Sequence, residues 1–220
     1  ICLIFSFSEE VSSLSIFNFL PSFLANKYFM IFFTIFAILT IANSINFIDG
    51  CNGLVILLMI LIISYLLLIN NVAELSNLYL IIIIYLFIIL TLNFPKSWAF
   101  LGDFGSYFLG YFISFLLIHL SNSNISMKID INEWFFANLL VYPAFEIFSS
   151  VFRRLKNKKS PFYPDNSHLH SLIYRLLKFK YNSLNSNYLT TLIILIINFL
   201  IYSIVYFISP NFYYLYFFIF

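Results

Sequence analysis

The sequence predicts an all-α, polytopic bundle of membrane-crossing helices. Two observations carry the prediction: 62% of the residues are hydrophobic and only 9% are charged, and the apolar residues fall in long Ile/Leu/Phe runs. A third sets the orientation. Eight of the eleven basic residues (Arg153, Arg154, Lys156, Lys158, Lys159, Arg175, Lys178 and Lys180) share one segment, leaving Lys27, Lys96 and Lys128 elsewhere. Between membrane spans such a cluster marks the cytoplasmic side rather than a nucleic-acid surface. Cys2 and Cys51 are too few and too separated for a disulfide framework or a metal cluster. The chain is expected to form one multi-span domain over residues 1–220, with about 6–8 spans of roughly 20 apolar residues each.

Taken in order, Ile1–Phe7 reads as the tail of a span, and Ser8–Lys27 as an external loop with an interfacial helix. Tyr28 to about Phe47 is a full span. Leu54–Ile69 returns, Asn70–Asn77 turns, and Leu78–Leu92 crosses again. After the polar connection Asn93–Ser106, Tyr107–Leu120 crosses out. Ser121–Asn132 is a hydrophilic loop and Glu133–Phe152 crosses back. Arg153–Asn187 is the basic loop, Tyr188–Ile208 a further span, and Asn211–Phe220 the start or cap of a last one. Two crossings separate each polar segment from the next, so about 43–53, 93–106 and 153–187 are expected on one, cytoplasmic, face. No internal repeat is visible, and the chain starts at Ile1 inside an apolar run without a signal-peptide pattern.

The first polar segment, Asn43 to Leu54, reads Asn-Ser-Ile-Asn-Phe-Ile-Asp-Gly-Cys-Asn-Gly-Leu. Polar groups there are costly near lipid and face an interior or an aqueous cavity. Asn43, Asn46 and Asp49 are its candidate site residues. The five glycines, Gly50, Gly53, Gly102, Gly105 and Gly110, all lie here or in the second segment, which implies close backbone approach or unusual dihedrals beside an aspartate. That second segment is Phe100-Leu101-Gly102-Asp103-Phe104-Gly105-Ser106, then Leu109-Gly110. Its glycines leave room for a phosphate at the start of a helix, where backbone amides favour an anion. Two carboxylates, Asp49 and Asp103, on one face suit magnesium. In the third segment, Ser160 to His170, the pair His168 and His170 lacks the further ligands zinc needs, which favours an anion-binding role. Glu146, a carboxylate within a span, has two readings of equal weight: a functional group, or a snorkelling or helix-pairing side chain. His119 reads as interfacial.

Asn43-x-x-Asn46-x-x-Asp49-Gly50-x-x-Gly53-Leu54, Gly102-Asp103-x-Gly105-Ser106 and Ser160-Pro161-Phe162-x-Pro164-Asp165 through His168-x-His170 resemble the polyprenyl-phosphate N-acetylhexosamine-1-phosphate transferases, the MraY, WecA and TagO group. The resemblance runs from about Ile41 to Arg175, and the third motif is closest to the WecA branch. It implies Mg2+-dependent transfer (Mn2+ as an alternative) from a UDP-N-acetylhexosamine to undecaprenyl phosphate in a bacterial inner membrane, releasing UMP; a homodimer is compatible with it. By this similarity Asp103 and Asp49 hold metal, and Asn43 and Asn46 bond the pocket or nucleotide. Phe100 stacks on uracil. His168, His170, Arg153 and Arg154 take phosphate, and Glu146 and Asp165 fall at substrate-binding positions.

This sequence departs from the family at position 52, Asn for a usual Asp, and at 171, Ser for a common His. The family's paired aspartates of an earlier loop are absent from these residues, so an N-terminally truncated member of a family of about 10–11 spans is expected. The rival readings are a catalytically inactive homologue serving as an assembly partner and a small-solute transporter. A transporter would show matching broken helices in two halves, and none are visible.

Overall fold

The computed structural model describes residues 27–96, 98–122, 127–129, 131–158, 160, 167–208 and 210–219. Nine helices follow in order among them: α1 (Lys27–Ile48), α2 (Leu54–Ile69), α3 (Ala73–Asn93), α4 (Gly102–Asn122), α5 (Glu133–Leu139), α6 (Val141–Lys156), α7 (Leu169–Lys178), α8 (Ser183–Phe207) and α9 (Tyr213–Ile219). A 3₁₀ turn, Pro210–Phe212, precedes the last. No strand occurs among the described residues, and the chain is a multi-pass, all-α membrane protein.

Helices α1, α3, α4 and α8 are long and apolar enough to cross a bilayer. Helices α5 and α6 make a fifth candidate if counted as one span broken by a 67° bend. Their junction is Leu140, with Pro143 just after it; a proline in the first turn of α6 loses no helical hydrogen bond. The outer faces of α1 and α3 expose Phe32, Phe36, Ile84, Tyr85 and Ile88, as lipid-facing surfaces do. Helix α2 is different. Its 16 residues rise about 24 Å, short of the roughly 30 Å hydrocarbon layer, and ten of them are buried. Hydrophobic all round, it is the central core helix, packed by α3 and α8.

The segment expected as a basic loop is helical over much of its length. Helix α6 runs to Lys156, α7 covers Leu169–Lys178, and α8 begins at Ser183. The reason is amphipathicity: in α7, Ile173 and Leu169 pack on the core while Arg175 and Lys178 lie outside. Ile1–Phe7, Ser8–Asn26 and Asp165 lie outside the described residues.

Two sets of contacts sort the connections by end. At one end Lys128 donates to the Ile69 carbonyl (2.7 Å) and Asn132 to that of Pro210 (3.1 Å). At the other, residues 46–53 meet 93–106 and 168–191 through the bonds described below. Helix α4 is bound to α1 by a ridge of small residues, Ser106, Gly110 and Ser114, four apart and buried. A Cβ on Gly110 would fall 2.7 Å from the Ala42 Cα. Gly110 thus serves helix packing, not the aspartate it follows. Gly110→Val should destabilise the fold by about 1–3 kcal/mol through overpacking, read as a lowered unfolding temperature in detergent.

Candidate active site

The first two polar segments meet through Asn46. Its Nδ2 donates to Asp103 Oδ1 (3.1 Å) and to Ser106 Oγ (2.9 Å), joining the last turn of α1 to the first turn of α4. Ser106, fully buried, spends its hydroxyl on the Gly102 and Asp103 carbonyls (both 3.1 Å). This holds the α4 start, and Gly102 supplies the left-handed turn before it (φ 68°). Asp103 itself is exposed. Asn43 is occupied locally: its Nδ2 donates to the Leu39 carbonyl (2.8 Å), and its Oδ1 accepts from the Tyr107 hydroxyl (3.3 Å).

Asp49 follows α1 in a turn, half-buried. Burial, and behind it the Asp103 charge, push its carboxyl from 3.8 up to about 6. Among the described residues no group of three or more His, Cys, Asp and Glu forms a metal-holding cluster. The Asp49–Asp103 pair is a different donor set: two oxygen ligands whose mutual repulsion a hard cation would relieve, with water and phosphate oxygens completing its shell. These residues fit magnesium better than zinc.

The third segment arrives through Glu146, fully buried in α6. Its Oε1 accepts from the Tyr142 hydroxyl (3.1 Å) and the Leu169 backbone N–H (3.0 Å). Its Oε2 lies 3.1 Å from His168 Nδ1, and Oε1 lies 3.6 Å from His170 Nδ1. The carboxylate is thus paired with the start of another helix. The carboxylate accepts from the first turn of α7, where amide N–H groups lack helical partners, and faces both imidazoles on their Nδ1 side. The rings stack at 5.6 Å. His168 also packs on Phe47 (5.5 Å), and His170 Nε2 sits so close to Gly50 that a Cβ there would meet it at 2.5 Å. Gly50 is the contact that brings the histidines onto the Asp49 turn.

Arg153 and Arg154, in the last turns of α6, are half-buried. Phe100 is 78% exposed, one residue beyond a loop end that Asn93 fixes by donating to the Ala99 carbonyl (2.8 Å). Sequence reasoning missed Asn93, Tyr142 and Phe47, and gave Ser106 a place in its motif but no role. Of the three missed, only Tyr142 left a signal, standing one helical turn before Glu146. An apolar cleft of about 170 Å3, lined by Tyr142, Phe145, Leu169, Ile194, Ile197 and Ile201 among others, opens beside Glu146's partners.

Fold and site together define an integral membrane protein whose acidic turns and histidine-bearing helix converge at one end of its bundle. The chain belongs to glycosyl transferase family 4, which residues 1–121 match, a stretch that includes both aspartate motifs. It is 35% identical over 150 residues to a probable undecaprenyl-phosphate N-acetylglucosaminyl 1-phosphate transferase of Bacillus subtilis. That match covers 66% of this chain, which spans about 40% of the relative's length. No solved structure matches it.

Proposed function

We propose that the protein transfers a HexNAc-1-phosphate from a UDP-N-acetylhexosamine to undecaprenyl or another polyprenyl phosphate, releasing UMP, at the cytoplasmic face of a bacterial inner membrane. The observation that carries the reading is the meeting of Asn46 with Asp103 beside a turn that packs on His170. Carboxylates for a cation and imidazoles for phosphate then stand at one end of the bundle. The basic residues of α6 and α7 at that end support its cytoplasmic placement.

In the reaction an oxygen of the lipid phosphate attacks the phosphorus that carries the sugar. The bond from that phosphorus to the bridging oxygen breaks, and UMP leaves with the electron pair. Asp103 and Asp49 would hold Mg2+, or Mn2+, which when bound offsets charge on the diphosphate and on departing UMP. Asn46 fixes the Asp103 carboxylate from one side, leaving its second oxygen uncommitted in this bond. Glu146 meets His168 on its Nδ1 side, so a protonated ring, with N–H on both nitrogens, would keep Nε2–H to donate to phosphate. Phe100 offers an open ring face for uracil, and Arg153, Arg154 and Asp165 complete the substrate contacts. The apolar cleft beside Leu169 suits the first isoprene units of the lipid.

The test is UMP release by membranes containing the protein. It should need the UDP-sugar, lipid phosphate and a divalent cation together; release without lipid phosphate, or none with all three, overturns the reading.

A pH dependence follows from Asp49. Its folded pKa, about 6, lies above the ordinary 3.8. The folded state therefore keeps a proton that the unfolded chain has lost, and stability falls as pH rises from about 4 to about 6. Cation binding runs the other way, since it needs the ionised carboxylate, and should weaken below about pH 6. With divalent ions removed, infrared titration of the carboxyl should find a midpoint near 6 that drops in Asp103→Asn. An unmoved midpoint would show that the two carboxylates do not sense each other.

A further inference from the structure

Between α3 and α4 lies the segment 94–101, which ends in Phe100 and leads through Gly102 into Asp103. Two side-chain amides clamp it at both ends. Asn52 Nδ2 donates to the Pro95 carbonyl (3.0 Å), and Asn93 Nδ2 donates to the Ala99 carbonyl (2.8 Å). The same Asn93, buried at the end of α3, accepts from the Gly53 N–H through Oδ1 (2.5 Å). Gly53 has φ 73°, and a Cβ there would strike Phe94 at 2.9 Å, so the turn packs closely on the first residue of the segment.

Asn52 is also tied to α8 through its own backbone. Its N–H donates to Asn187 Oδ1 (2.8 Å), and its carbonyl accepts from the Thr191 hydroxyl (2.9 Å). The turn 51–53 thus has a fixed seat on α8, and from that seat it reaches across to hold the 94–101 segment. We propose that the Asn52 and Asn93 carboxamides are positioning residues for nucleotide binding, setting Phe100 through the Pro95 and Ala99 carbonyls. Neither need touch the substrate. In this chain the amide at 52 is the donor to the Pro95 carbonyl; the aspartate usual in the family at that position would, in this geometry, face the carbonyl as a second acceptor.

The inference rests on Phe100 as the nucleobase platform, so the experiment separates the two. UMP binding to the purified full-length protein is measured by calorimetry for wild type, Phe100→Ala, Asn52→Asp, Asn52→Ala and the double variant Asn52→Asp/Phe100→Ala. Asn52 is half-exposed and its backbone ties to α8 survive substitution, so unfolding temperatures should stay near wild type. Asn52→Asp should weaken UMP binding about 3- to 10-fold, the worth of one net hydrogen bond, and Asn52→Ala somewhat less. In the Phe100→Ala background the Asn52→Asp effect should vanish, because there is no ring left to position. If Phe100→Ala alone leaves UMP affinity unchanged, the platform reading fails. If Phe100→Ala weakens binding while the Asn52 variants match wild type, or their effect persists undiminished in the double variant, the positioning role is overturned.

Discussion

Asp103→Asn should cut UMP release at least about 100-fold while leaving the folded protein intact. The substitution separates charge from shape. Asparagine keeps an Oδ1 that accepts from Asn46 Nδ2, so the bond joining α1 to α4 survives. The Ser106 bonds to the Gly102 and Asp103 backbone carbonyls do not involve the replaced atoms. What disappears is one of two negative oxygen donors for a divalent cation. A bound cation supplies several kcal/mol of charge stabilisation in phosphate transfer, and each 1.36 kcal/mol is about tenfold in rate; hence the size of the loss. The check is a release assay on membranes beside an unfolding curve for the same preparation. Turnover near wild type would remove Asp103 from the chemistry. A collapse of the unfolding temperature would instead show that the carboxylate holds the helix crossing together.

The sequence carried the helices well and their mutual contacts poorly. Leu78–Leu92 lies inside α3, and Tyr188–Ile208 lies inside α8 but for its last residue, because an unbroken apolar run of that length has few other outcomes. Leu54–Ile69 has the same composition, yet its 16 residues form a buried core helix; only its shortness hinted at this. Glycines were legible as a class but not by role. Gly53 and Gly102 take positive φ, Gly50 makes room for His170, and Gly110 makes room for α1. The motif aspartates stood out because charge is rare in such a chain, whereas Asn93 did not. An asparagine at the end of an apolar run is a helix stop by composition, and its two loop partners are set by tertiary packing alone. The Glu146 pairing was open for a similar reason: a carboxylate 22 residues from its histidine has no periodicity to announce it.

That pairing sets the second large expectation. Glu146→Ala should destabilise the protein by about 3–5 kcal/mol, the range for removing one partner of a buried charged pair, and should depress UMP release even at temperatures where the variant stays folded. Three groups hydrogen-bond this side chain, the Tyr142 hydroxyl, the Leu169 amide and His168 Nδ1, and His170 Nδ1 stands 3.6 Å from it. Alanine leaves them in a dry site with nothing to accept, and each unsatisfied group carries its own desolvation cost. Glu146→Gln is the sharper probe. It fills the same volume, but one of its two polar atoms becomes a donor among donors, so the histidine segment should lose its anchor with little cavity formed. For that variant the imidazole resonances of His168 and His170 should shift and broaden in NMR spectra, and release should fall in step. If both variants unfold near the wild-type temperature and release UMP at the wild-type rate, Glu146 anchors nothing that matters. If stability drops but release per folded molecule is preserved, the carboxylate holds α7 to the bundle without orienting the histidines for the reaction.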